Sequence, residues 1–248
     1  MFWGDCNYKM GKRIIQQRRG RGTHTYKVKK RAFIIKIGYP RDISGEGTVL
    51  KLKHSPAHSA PLAKIQYKNK EGKKPVFFIP AFKGMAEGDK INLDVENTEI
   101  KDGNIMKLKN IDMKTKIYCI ESRPGDGGKF IKSGGSSAEI NKTIGKDVFV
   151  VMPSKKQKKF SGEAKAIVGV AAGHGRLDKP IVKAGKNYHI KKAKSKLWPR
   201  TSACKMNAID HPFGSGRGKV AKPRIAKRNS SPGQKVGLIR PKRTGKRK

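Results

Sequence analysis

Apolar positions in this chain fall in short runs, and the three-to-four-residue recurrence of a long amphipathic helix is absent. Runs rich in β-branched and aromatic residues fall at 33–37, 48–53, 62–67 and 76–79. Others follow at 90–93, 117–120, 147–152 and 166–170. Turn-forming residues punctuate them: Glu71-Gly72, Glu87-Gly88-Asp89, Asp102-Gly103-Asn104, Gly145-Lys146 and Pro153-Ser154. Many short strands at close spacing predict small β-barrels or sandwiches. Residues 163–166 would tolerate a helix, but the Val-Gly-Val-Ala sequence at 168–171 favours a strand.

Residues 33–196 are long enough for two such barrels. A Gly-dense stretch at 124–128 supplies a natural joint behind the run that ends at Ile120. The expected organisation is a first barrel at 33–118 and a second at 119–196, with arms at 1–32 and 197–248.

Charge sharpens that division. The chain has 59 Lys and Arg against 18 Asp and Glu, a formal net charge of +41. Residues 1–32 hold ten basic residues and one acid, and residues 197–248 hold fifteen and one. The acids of the centre cluster at Glu87, Asp89, Asp94, Glu96, Glu99 and Asp102. The pattern predicts a globular centre between two cationic arms, neutralised in the working state by a large polyanion, with RNA leading. A membrane partner is disfavoured, since no stretch approaches ~20 apolar residues. Cys6, Cys119 and Cys204 lie far apart with no Cys-x-x-Cys pair, which fits a reducing cytosol without disulfides or zinc. No signal peptide is visible at the start.

Candidate chemistry is sparse. Gly-rich loops at 124–129, 133–137, 171–176 and 213–218 could present backbone N–H groups to phosphates, or could be ordinary hairpin turns. Lys129, Arg176 and Arg217 lie in or beside them, and none has the spacing of a nucleotide-triphosphate loop. His54 and His58 could share a metal on a helix, but Pro56 argues against a helix and no third ligand is evident; a solvated or RNA-facing loop is preferred. Asp210-His211 is the most tempting catalytic pair. Sequence neighbours seldom orient each other as acid and base, and no Ser or Cys nucleophile accompanies them. Trp198 could stack on a base or pack back on the nearby barrel.

Three specific motifs in order, after a segment that looks like a family's start, carry a resemblance. The starting segment is GKRIIQQRRGRG at 11–22, and the motifs are HSPAHSAPLA at 54–63, IESRPGDGGK at 120–129 and MNAIDHPFGSGRG at 206–218. With them the chain resembles the universal large-ribosomal-subunit protein family called "L-two", in its archaeal and eukaryotic form. The resemblance implies a mainly β fold: an oligonucleotide-binding-type barrel followed by an SH3-like barrel, with long basic N- and C-terminal extensions in ribosomal RNA. It implies a structural constituent of the large subunit that binds its rRNA, supports assembly, subunit association and tRNA placement, and acts without a cofactor, metal or small-molecule substrate. The expected rRNA contacts are Lys12, Arg13, Arg18, Arg19 and Arg21 in the first arm and Lys129 and Arg176 in the centre. Trp198, Arg200, Lys205, Asn207, Arg217, Lys219 and Arg224 are those of the second arm. Asp210, His211, Pro212, Phe213 and Gly214 form the loop expected near the peptidyl-transferase region, where RNA carries out the reaction. Neighbouring ribosomal proteins are further partners, and a bridge to the small subunit is left open. Phe213 stands where many bacterial relatives have a second His, and Ser215 interrupts a usual run of glycines. Charge alone also permits a DNA-compacting architectural protein, although such a protein has no use for two barrels and an Asp-His-Pro loop. An RNA-processing enzyme would need a catalytic site, and none is visible.

Overall fold

The computed structural model describes residues 11–30, 32–69, 71–95, 99–218 and 225–240. The chain divides into two compact units, one of residues 28–194 and one that joins the two chain ends, 1–27 and 195–248.

Among its described residues the first unit is built on ten strands: β1 (Gly45–Lys53), β2 (Leu62–Tyr67), β3 (Val76–Pro80), β4 (Lys90–Leu93), β5 (Ile105–Lys107), β6 (Lys116–Tyr118), β7 (Ala138–Ile144), β8 (Asp147–Val151), β9 (Gln157–Ser161) and β10 (Lys165–Val168). They hydrogen-bond in the order β3-β2-β1-β4-β5-β10-β6-β7-β8-β9. Strand β10, the last of the ten in sequence, therefore lies between β5 and β6, antiparallel to both. All four of its residues are buried, so no period-2 pattern marks it. By contrast β2 and β3 show the half-buried alternation that pins register.

Two apolar clusters lie on this frame. The first gathers Val49, Ile65, Phe77, Ile79 and Leu93, and also takes Tyr118, Cys119 and Ile167. The second gathers Ile117, Ile140, Val148, Val150 and Phe160, and also takes Met106 and Leu108. A buried polar set ties the middle together. Glu121, fully buried, accepts hydrogen bonds from the backbone N–H groups of Gly127 at 3.0 Å and Lys165 at 2.9 Å. The Lys165 ammonium meets Asp94 at 2.8 Å and donates to the Arg41 carbonyl at 3.0 Å. Tyr39 donates to the Lys165 carbonyl at 2.9 Å, and burial raises its phenol well above the usual range.

The mainly β expectation holds, and seven of the eight apolar runs coincide with or overlap strands. The run at 33–37 is not a strand. Gly38 makes one isolated bridge to Phe78, while Phe33 and Ile34 are exposed. An apolar run needs a free strand edge over its whole length, and only one bridge forms here. Strands β5, β7 and β9 were not legible; β9 buries only Phe160 among Lys-rich neighbours. Helix α2 (Ala184–Ala193) also escaped, because it buries no residue and has no apolar stripe.

The unit of chain ends has a different construction. It contains helix α1 (Ile15–Gly20) and a short parallel pair, β11 (Ile225–Ala226) with β12 (Leu238–Ile239). Among its described residues only Ile14, His211 and Gly214 are buried. With so little core, backbone hydrogen bonds fix its local turns. Lys12 N–H donates to the Ile209 carbonyl at 2.8 Å, and Gln17 caps α1 by accepting from Ile14 N–H at 3.2 Å.

Candidate nucleic-acid interface

The Asp-His-Pro loop is a closed turn. Asp210 and His211 N–H both donate to the Asn207 carbonyl, at 3.0 and 3.3 Å. Gly214 N–H donates to the His211 carbonyl at 2.9 Å, and Ser215 N–H to the Met206 carbonyl at 3.0 Å. A side chain at Gly214 would run into the carbonyls of Met206 and Asn207, so the backbone passes itself there at a distance only Gly allows.

His211 is 8% exposed. Its Nδ1 accepts a hydrogen bond from Phe213 N–H at 3.0 Å, and its ring lies 5.2 Å from the Phe213 ring. Accepting at Nδ1 puts the proton of the neutral imidazole on Nε2, which is then a donor only. Burial lowers the pKa of His211 from its ordinary value of 6.5. The side chain is thus a neutral hydrogen-bond donor near pH 7. To take up a proton it must surrender the bond that closes its own turn.

The turn collects cations around it. Lys12, Arg13, His211 and Pro212 line a cavity of about 530 Å³ with Pro232 and Gly233. A second cleft, about 360 Å³, is lined by Arg18, Lys205, Asn207 and Asp210. Lys12 Nζ lies 4.0 Å from Asp210, a distance at which two partly exposed charges attract weakly. Phe213 borders another cavity with Ile14 and Gln17. Arg19, Arg21, Arg200 and Arg217 are exposed outside these clefts, and Trp198 is half-buried beside its cis bond to Pro199. Lys219 and Arg224 lie outside the described residues.

In residues 28–194 the Gly-rich loops have a role the sequence did not disclose: their glycines and N–H groups face the protein itself. In the 124–129 loop, Asp126 accepts from the N–H groups of Ser122, Arg123 and Gly128 at 2.9, 3.3 and 3.2 Å. Gly127 N–H goes to Glu121 and Lys129 N–H to the Ile120 carbonyl. A side chain at Gly128 would meet the Cys119 carbonyl at 2.5 Å. Two carboxylates therefore occupy the donors that a phosphate would need. Exposed Lys129 sits 3.5 Å from Asp126.

The 133–137 and 171–176 loops pack on the HSPAHSAPLA segment. Gly134 N–H donates to Ser59 Oγ at 3.0 Å, and Gly135 N–H to the Ala171 carbonyl at 2.9 Å. A Cβ at Gly134 would lie 2.7 Å from the Ser59 carbonyl and 2.9 Å from that of Ala172. Exposed Arg176 is anchored through Nε to the Gly134 carbonyl at 3.1 Å, which aims its guanidinium. His58 Nδ1 lies 2.7 Å from Ser55 Oγ and its ring edge meets Phe33 at 5.1 Å. The charged ends that the Gly-rich loops leave exposed are those of Arg176, held through Nε, and of Lys129.

Helix α2 adds cations that strand-based reading passed over. Lys186, Lys191 and Lys192 lie on an exposed helix with no acid in its first turn. A helix that buries no residue and carries three lysines suits a charged partner.

Comparison with known proteins supports the same reading. The family model described as "Ribosomal Proteins L2, C-terminal domain" matches residues 101–233. A large ribosomal subunit protein uL2 of Archaeoglobus fulgidus is 43% identical over 242 residues, covering 96% of this chain and all of the relative. The uL2 proteins of Methanococcoides burtonii and Methanococcus maripaludis (strain S2 / LL) are 41% and 42% identical, with 96% of this chain and all of each relative covered. Similarity of this extent, over motifs at both ends and in the centre, means that the chain belongs to the uL2 family of large-ribosomal-subunit proteins.

Proposed function

We propose that this protein is a structural, non-enzymatic constituent of the large ribosomal subunit that binds large-subunit rRNA and neighbouring ribosomal proteins at the ribosome. In this reading the 28–194 unit is an oligonucleotide-binding-type barrel followed by an SH3-like barrel, and the chain-end unit threads into rRNA. The observation that carries it is the make-up of the chain-end unit. It holds twenty-three Lys and Arg against two acids, yet its described part buries only Ile14, His211 and Gly214. Such a unit gains little from burial, and neutralisation by phosphates offsets its self-repulsion.

The Asp210–Gly214 turn, in this proposal, faces the peptidyl-transferase region, with His211 donating a hydrogen bond from Nε2 and carrying no proton in the reaction. Support for subunit association and tRNA placement follows from the same placement. Co-sedimentation after a high-salt wash tests the reading. The protein should remain with large subunits. Loss from the particle, or migration with DNA, would refute it in favour of a general nucleic-acid compactor.

A further inference from the structure

A cleft of about 360 Å³ opens in the 28–194 unit where three distant segments meet. Ala32 and Pro56 supply apolar wall, Ala193 closes the end of α2, and Lys29, Lys192 and His189 complete the lining. The first two segments are joined by a hydrogen bond from Ala57 N–H to the Ala32 carbonyl at 3.2 Å. Lys192 sits one turn from Tyr188, its ammonium 5.7 Å from that ring. The charges of Lys132 and Lys194 are felt at His58, two residues from Pro56, where burial and those charges lower the imidazole pKa. An apolar lining with an imidazole and two lysines in it suits a heteroaromatic ring carrying phosphates. The volume is near the lower bound for small-ligand pockets, roughly 300 Å³, too small for a folded segment of a partner.

We propose that this cleft holds one unstacked RNA nucleotide, its base on Ala32, Pro56, Ala193 and His189 and its flanking phosphates on Lys29 and Lys192. The inference rests on the RNA-binding reading above, and it adds a demand that charge alone does not make: the site needs a base free of its stack. Unstacked bases are what proteins recognise in single-stranded RNA, and aromatic side chains there tolerate any sequence.

The test uses the full chain with three probes: a labelled twelve-nucleotide oligoadenylate, a twelve-base-pair RNA duplex, and poly-glutamate as competitor. Ala193→Trp fills the cleft and His189→Ala removes a wall. Helix α2 buries no residue, so neither change touches the apolar clusters, and thermal melts should match the parent. Both variants should bind oligoadenylate roughly tenfold more weakly, within the range for losing one stacked base, with duplex affinity unchanged. Equal loss for single strand and duplex, or no loss for either, overturns the nucleotide site and leaves general RNA binding standing. If Ala193→Trp weakens poly-glutamate competition as much as oligoadenylate binding, the cleft takes an acidic chain, which also overturns it. A parent chain that binds neither RNA overturns the RNA reading itself.

Discussion

Replacing His211 separates its two ring nitrogens. Asn places an oxygen where Nδ1 lies and can accept from Phe213 N–H; Gln reaches the position of Nε2 and can donate there; Ala does neither. In Ala the Phe213 N–H, bonded at 3.0 Å in a part-buried turn, loses its acceptor. An unsatisfied buried donor costs ~1–3 kcal/mol, and partial access to water puts this one in the lower half. A change of 1–2 kcal/mol alters an opening equilibrium by a factor of about 5–30. Amide hydrogen exchange of the full chain should therefore show Phe213 protected in the parent and in His211→Asn, and protection reduced about 5–30-fold in His211→Ala. Titration gives an independent reading. The folded pKa is below the ordinary 6.5, so the unfolded chain binds more protons across that window. The turn's contribution is complete above the ordinary imidazole pKa and is lost as pH falls through the folded value. Protection at Phe213 that is indifferent to His211→Ala, or that grows on acidification, would falsify the donor assignment. In assembled particles Gln should outperform Asn wherever the Nε2–H donor is what matters. Equal loss of the chemical step in Gln and Ala, with a changed pH–rate profile, would restore proton transfer to His211.

Other substitutions test the remaining structure. Glu121→Gln trades one of two buried acceptors for an NH2 group facing a backbone N–H, costing ~1–3 kcal/mol. Calorimetry should register this as a lower melting temperature, at roughly 2–4 °C per kcal/mol; an unchanged melt would mean the network relaxes. Gly134→Ala pushes a Cβ against the Ser59 and Ala172 carbonyls and should cost ~1–3 kcal/mol. Gly185→Ala in α2 meets nothing within 4 Å and should be stabilising by about 0.5–1 kcal/mol, and a urea titration of both glycine variants against the parent checks the two opposite signs. Binding to rRNA should weaken with salt by a log–log slope of about −0.7 to −0.9 per phosphate contact, and charge-neutral replacements at Arg13, Arg18 and Lys205 should flatten it. A slope unaffected by all three would move the electrostatic footprint to the β unit.

The sequence by itself determined the β class, most of the strands and the polyanionic partner. Alternation in residues 63–67, Ala-Lys-Ile-Gln-Tyr, reports a sheet with one buried face, because a side chain's face repeats every two residues. The charge of the two ends is likewise a property of composition, and the ordered motifs at 54–63, 120–129 and 206–218 carried the family. Tertiary structure alone decided where β10 inserts, since a fully buried strand has no alternation and its neighbours are far away in sequence. It also decided what the glycines face. Residue type announces a close approach but does not name the partner. At Gly128 and Gly134 the partner is the chain's own carbonyl oxygen, and the N–H groups that looked ready for phosphate are held by Asp126, Glu121 and Ser59. Helix α2 lay beyond periodicity altogether, because a helix that buries nothing carries no apolar stripe. For His211, sequence supplied a residue able to donate or accept; the fold spent the accepting nitrogen on Phe213 and left the donor.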